Sequence, residues 1–162
     1  KQGIKELKSW TIDTKKYTIK FDLFLDCPIF IRGIIRVGVI TLDKTFALKN
    51  GIIKVKNGNK YYEKIELKNS EINQHTSKSL TQSSVSGLGC TNGITKFKND
   101  DFSFKIELDR EKSYPFVMLQ NNKDKFGYLT RLYFSLQELD DTLKESQKNS
   151  KYNLNYVVYL KG

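Results

Sequence analysis

The chain reads as a mainly β domain: an antiparallel β-sandwich or flattened barrel of roughly eight strands, with one short helix in its C-terminal region. Three observations predict this. Apolar and polar residues alternate with period two in several separate segments. Gly- and Asn-rich turn signals fall between those segments. A single stretch, late in the chain, carries helical spacing behind a capping signal. The alternative architecture is an α+β antiparallel sheet with the helix laid on one face.

The first alternating segment places Tyr17, Ile19, Phe21, Leu23 and Leu25 on one face, with Thr18, Lys20 and Asp22 between them. A strand of this kind buries one face and wets the other. Ile29 to Leu42 follows as one long strand or two, in which Gly33 and Gly38 suggest bulges or a bend where sheets pack closely. Asn50-Gly51 then separates Phe46–Lys49 from Ile52–Lys56, and Asn-Gly favours a two-residue hairpin turn. After Asn57-Gly58-Asn59, the run from Lys60 to Leu67 reads as the next strand.

Composition shifts between Asn69 and about Gly93. Serine, threonine and glycine dominate there, so a long polar loop is expected, with one short strand around Leu80–Val85. Asp100-Asp101 reads as a turn ahead of a strand in which Phe102, Phe104, Ile106 and Leu108 alternate with Ser103, Lys105 and Glu107. Phe116–Leu119 and Phe126–Phe134 are strands flanking a polar loop from Asn121 to Lys125. Ser135 and Glu138 fit a capping box, and Leu136, Leu139 and Leu143 form a narrow stripe, which predicts a surface helix running toward Lys148. Tyr152, Leu154, Tyr156, Val158 and Leu160 close the chain as a last strand. No composition break divides residues 1–162 into two domains.

Chemistry is sparsely signalled. His75, the one histidine, lies in the Ser-rich loop with no nucleophile-elbow motif around it, so a Ser–His–Asp or Cys–His arrangement has no support. The glycines of Ser86–Gly93 lack the Lys-Ser/Thr ending of a phosphate loop. Asp100-Asp101 and Asp140-Asp141 are adjacent in sequence, not spaced for glycosidase chemistry. Cys27 and Cys90 fit no zinc motif and are a candidate disulfide. The expectation is therefore no catalytic residue, no metal and no cofactor.

Charge carries more information. The formal net charge is +10, and all but four of the 28 basic residues are lysine; Arg32, Arg36, Arg110 and Arg131 are the exceptions. Lysine offers a hydrated point charge rather than the planar fork that reads bases or phosphates bidentately. Lys54, Lys56, Lys60, Tyr61, Tyr62 and Lys64 fall on one expected hairpin and form the candidate polyanion site. Lysine beside exposed tyrosine also suits single-stranded nucleic acid. Arg32 and Arg36 could pair with acids such as Glu63 and Glu66. Trp10 is expected in the core or at its rim.

The leading expectation is a non-enzymatic extracellular or cell-surface β-domain that binds a protein or sulfated glycan. Its first residue is Lys1, so a signal peptide or lipid anchor would lie outside it. The alternative is a cytoplasmic barrel-type module that binds nucleic acid through the Lys/Tyr hairpin.

Overall fold

A computed structural model describes residues 3–29, 34–56, 62–67, 82–84, 87–90, 92–113, 117–125, 127–137 and 150–160. Twelve strands and one short helix occur among them: β1 (Lys5–Asp13), β2 (Thr18–Cys27), β3 (Ile35–Leu42), α1 (Lys44–Leu48), β4 (Ile52–Val55), β5 (Glu63–Glu66), β6 (Gln82–Ser84), β7 (Gly87–Cys90), β8 (Ile94–Lys98), β9 (Ser103–Leu108), β10 (Val117–Asp124), β11 (Gly127–Gln137) and β12 (Ser150–Tyr159). They form two antiparallel sheets. One has seven strands in the order β1-β2-β12-β9-β8-β4-β5, the other five in the order β3-β11-β10-β7-β6. The mainly β, sandwich-like architecture is the one the alternation predicts.

The core lies between the sheets. From the larger sheet come Phe21, Ile53, Val55, Phe97, Ile106, Leu154 and Tyr156; Val117, Leu132 and Phe134 face them from the smaller one. Phe134 and Tyr156 stack across the interface, with ring centroids 4.3 Å apart and nearly parallel planes. Phe97 stacks on Phe104 at 4.5 Å. Burial of Tyr156 pushes its phenol up to about 12, because the phenolate would have to form without water.

Gly38 shows why the sheets can come so close. It has φ +62, and a Cβ there would sit 3.2 Å from Leu154 and 3.3 Å from Phe134. Opposite Tyr133 the register of β3 shifts, since Leu132 pairs with Ile40 but Phe134 with Val37. The bulge expected at Gly38 is therefore present. Gly33 lies outside the described residues.

Several elements differ from expectation. Among the described residues there are twelve strands rather than roughly eight, partly because the Ser- and Gly-rich stretch contributes the β6–β7 hairpin, whose Gly87–Cys90 strand pairs with β10. Asn121–Asp124 is strand, paired with Gly127–Thr130, so the turn of that hairpin is only two residues long. Backbone pairing does not require apolar side chains on a wet face, so polarity misplaced this turn. Ser135 does not cap a helix. Ser135, Leu136 and Gln137 continue β11 and are buried, and Tyr152 Oη donates to Gln137 Oε1 at 2.9 Å. Residues 138–149, which carry the rest of the expected helix, lie outside the described residues.

Phe46–Lys49 is not a hairpin strand either. Phe46 and Ala47 belong to α1 and plug the end of the core, with Phe46 6.2 Å from Phe97. Asn50 takes φ +56, turning the chain out of the helix. A Cβ on Gly51 would meet the Phe46 carbonyl oxygen at 2.5 Å. The Asp100-Asp101 turn is where expected and has a second use: Asp100 accepts from Asn50 Nδ2 at 2.8 Å, and Asp101 pairs with Lys49. These two acids anchor the end of α1 to the β8–β9 turn. The Asp101 partner holds the Lys49 ammonium above the ordinary lysine range.

Candidate polyanion interface

The outer face of the seven-stranded sheet carries the site. Because β4 and β8 bury Ile53, Val55, Thr95 and Phe97, period two forces Lys54, Lys96 and Lys98 outward. Register then does what sequence distance hides. Lys54 pairs directly with Lys64 of β5, and on its other side with Lys96 of β8. Lys96 pairs in turn with Lys105 of β9. Four lysines thus stand opposite one another on four adjacent strands, a ladder roughly 14 Å long at the usual interstrand spacing. The same row continues through Tyr159 of β12 and Thr18 of β2 to Asp13 of β1.

Two of the four ladder lysines are paired along their own strands. Lys64 contacts Glu66 at 2.6 Å, and Lys105 contacts Glu107 at 2.7 Å. These bonds lower Glu66 and raise Lys105 from their usual values. Lys54, Lys96 and Lys98 make no ion pair among the described residues. Two tyrosines brace the ladder. Lys96 Nζ lies 4.5 Å from the Tyr62 ring centre and Lys56 Nζ 5.8 Å from it, while Lys105 Nζ lies 4.0 Å from the ring of Tyr159. Such contacts hold an ammonium in place without neutralising it.

Of the residues expected to hold a polyanion, Lys54, Lys56, Tyr62 and Lys64 come together as the hairpin reading implied. Lys60 and Tyr61 lie outside the described residues. The reading missed Lys96, Lys98, Lys105 and Tyr159. Their signal was present, because the alternation of Thr95 to Lys98 and Ser103 to Glu107 already sorted these side chains outward. What it could not supply was the strand order that lines them up.

The remaining candidates separate. Cys27 is a buried free thiol at the end of β2, so the disulfide with Cys90 is not made. Arg36 lies on β3 in the five-stranded sheet, whereas Glu63 and Glu66 lie on β5 in the other. Trp10 is a rim residue. It is 56% exposed, yet its ring rests 4.4 Å from Phe21. Beside it an apolar cleft of about 260 Å³ runs between Trp10, Phe21, Leu23 and Val37, with Glu6 and Lys8 at its mouth. Arg32 and His75 lie outside the described residues. Among the described residues no group of three or more His, Cys, Asp or Glu could hold a metal ion, and no helix is long and apolar enough to cross a membrane.

No family model, curated protein or solved structure matches the chain.

Proposed function

We propose that the protein is a non-enzymatic, cell-surface or extracellular binding module that lays its lysine ladder against a polyanionic partner, a sulfated glycan. The observation that carries this reading is the register of Lys64, Lys54, Lys96 and Lys105. Like charges directly opposite one another destabilise a sheet. In the row of four, Lys64 and Lys105 are offset by Glu66 and Glu107, and the uncompensated contact of Lys54 with Lys96 is a standing cost that a multivalent anion removes when it binds. The anion recognised is a chain of charges rather than one compact group, because the lysines form a line along the sheet.

The alternative, single-stranded nucleic acid, asks for aromatic faces on which bases can stack. Here the rings of Tyr62 and Tyr159 are already engaged by Lys96 and Lys105. That favours a partner read by charge alone. The scarcity of arginine points the same way.

Fluorescent heparin and a labelled thymidine oligonucleotide serve as the two probes, titrated at several salt concentrations. Heparin is expected to bind more tightly, with affinity falling linearly on a log–log salt plot. The Lys54→Glu/Lys96→Glu double variant should lose at least about tenfold in heparin affinity at low salt. Failure of heparin to bind at low salt, or an unaffected double variant, sinks the proposal. Preference for the oligonucleotide selects the alternative.

A further inference from the structure

We propose that β1 is the seam of a two-fold dimer, in which a second copy of this chain adds its own β1 antiparallel to the open edge of the seven-stranded sheet. The proposal does not depend on the polyanion reading. Among the described residues β1 is an edge strand of nine residues, paired on one side only, by β2. Every residue in it except Asp13 is exposed, among them Leu7 at 57% and Ile12 at 68%. A long open edge of this kind has unpaired backbone groups that a second strand of matching charge pattern can take up.

The sequence of β1 is complementary to itself when reversed. With the axis through Ser9, all nine residues find a partner. Lys5 stands opposite Asp13 twice, on the outer face. Lys8 stands opposite Trp10 twice, on the inner face, where an ammonium can meet an indole. Leu7 meets Thr11, and Ile12 meets the stem of Glu6. Moving the axis to Lys8 sets lysine against lysine. Moving it to Leu7 leaves Trp10, Thr11, Ile12 and Asp13 with no partner inside the strand, so the axis at Ser9 is the one that charge and length select together. The contact is closed, since it uses the same surface on both copies and cannot propagate into a filament. Trp10 and its cleft then lie along the seam, which accounts for a large aromatic left half-covered at the end of an otherwise complete core.

Sedimentation velocity on the whole chain over a range of micromolar concentrations tests the association, and cysteine cross-linking tests the register. A dimer is expected. Residues facing each other across antiparallel strands lie within disulfide reach. Ser9→Cys treated with oxidised glutathione should therefore link to itself at least about tenfold faster than Leu7→Cys or Thr11→Cys alone. An equimolar mixture of those last two should link as Ser9→Cys does. The unmodified chain, with Cys27 and Cys90 in place, sets the background, and thermal unfolding checks that each variant is folded. A monomer at every concentration overturns the proposal. So does a dimer that links no faster through position 9 than through 7 or 11 alone.

Discussion

The two ends of the seven-stranded sheet solve opposite problems. At the β5-β4-β8-β9 end the inner face is well covered: Ile53, Val55 and Phe97 are no more than 1% exposed, α1 closes the end of the core, and Phe102 stays half exposed at its margin. The outer face of that end sets lysine against lysine. At the β2-β1 end the inner face is unfinished, with Trp10 and Ile12 more than half exposed. There the outer charges are matched: Lys20 pairs with Asp22 at 3.0 Å, Lys151 reaches Asp26 at 3.9 Å, and Lys5 stands opposite Asp26. Burial pushes Asp22 up, but the Asn155 amide and Lys20 outweigh it and hold its carboxyl below the usual range. Unfavourable surface charge is thus confined to the region whose core can tolerate it. The binding proposed for this face, which draws on repulsion among its own groups, needs a rigid base, and the β4–β8 pair provides one.

Truncation gives the largest test of this contrast. Phe97→Ala should cost about 3–5 kcal/mol, because the cavity opens where nothing can collapse into it. Trp10→Ala should cost the single chain, diluted below any dimer, only about 1 kcal/mol, since half of that side chain is then in water. Urea unfolding of the two variants measures the difference, and equal costs break the contrast.

Tyr156, on the strand that joins the two ends, supplies the next effect. Its phenol ionises near 12 in the folded chain, against about 10 unfolded. The unfolded chain therefore loses that proton first as pH rises. The contribution is complete below pH of about 10 and is lost on passing through about 12, on the order of 3 kcal/mol in all. Lysines titrate over the same interval, so the measurement is a difference: Tyr156→Phe should lose correspondingly less stability than the parent. Identical pH profiles would remove Tyr156 from the account.

The smallest effect is the most direct probe of the ladder. Lys54→Thr replaces the lysine with two lysine neighbours by a good strand former, and should raise stability by roughly 0.2–1 kcal/mol at low salt, with a smaller gain at high salt. A loss of stability at low salt would mean that the ladder carries no strain.

The sequence revealed sides better than neighbours. Alternation along β2, β9 and β12 assigned inward and outward residues correctly, because period two is a property of each strand alone. It failed where backbone pairing ran on through polar side chains, as at Asn121–Asp124, and where a short helix of mixed composition was placed by packing rather than periodicity, as at Phe46. Ser135 misled for a related reason. A capping box is a local preference, and β11 overrode it by burying Leu136 and Gln137 beside Tyr152. Half of the candidate site was legible, since Lys54, Lys56, Tyr62 and Lys64 are close in sequence. Lys96 and Lys105 join them only through the order of the strands, which no local pattern encodes.

That order also sets the timing of folding. β12, the last strand, is inserted between β2 and β9 in the middle of the larger sheet. A nascent chain that has not yet reached Ser150 holds two fragments, the β1–β2 hairpin and the β9-β8-β4-β5 group, with no bonds between them. The chain also passes from one sheet to the other after β2, β3, β5, β7, β9 and β11, so nearly every pairing beyond a hairpin joins distant segments. Assembly is therefore slow, because it waits on pairings between distant segments. Until β12 arrives, the hairpin that ends in Trp10 waits with both edges open, the stage at which the protein depends most on whatever keeps unfinished strands apart in its cell.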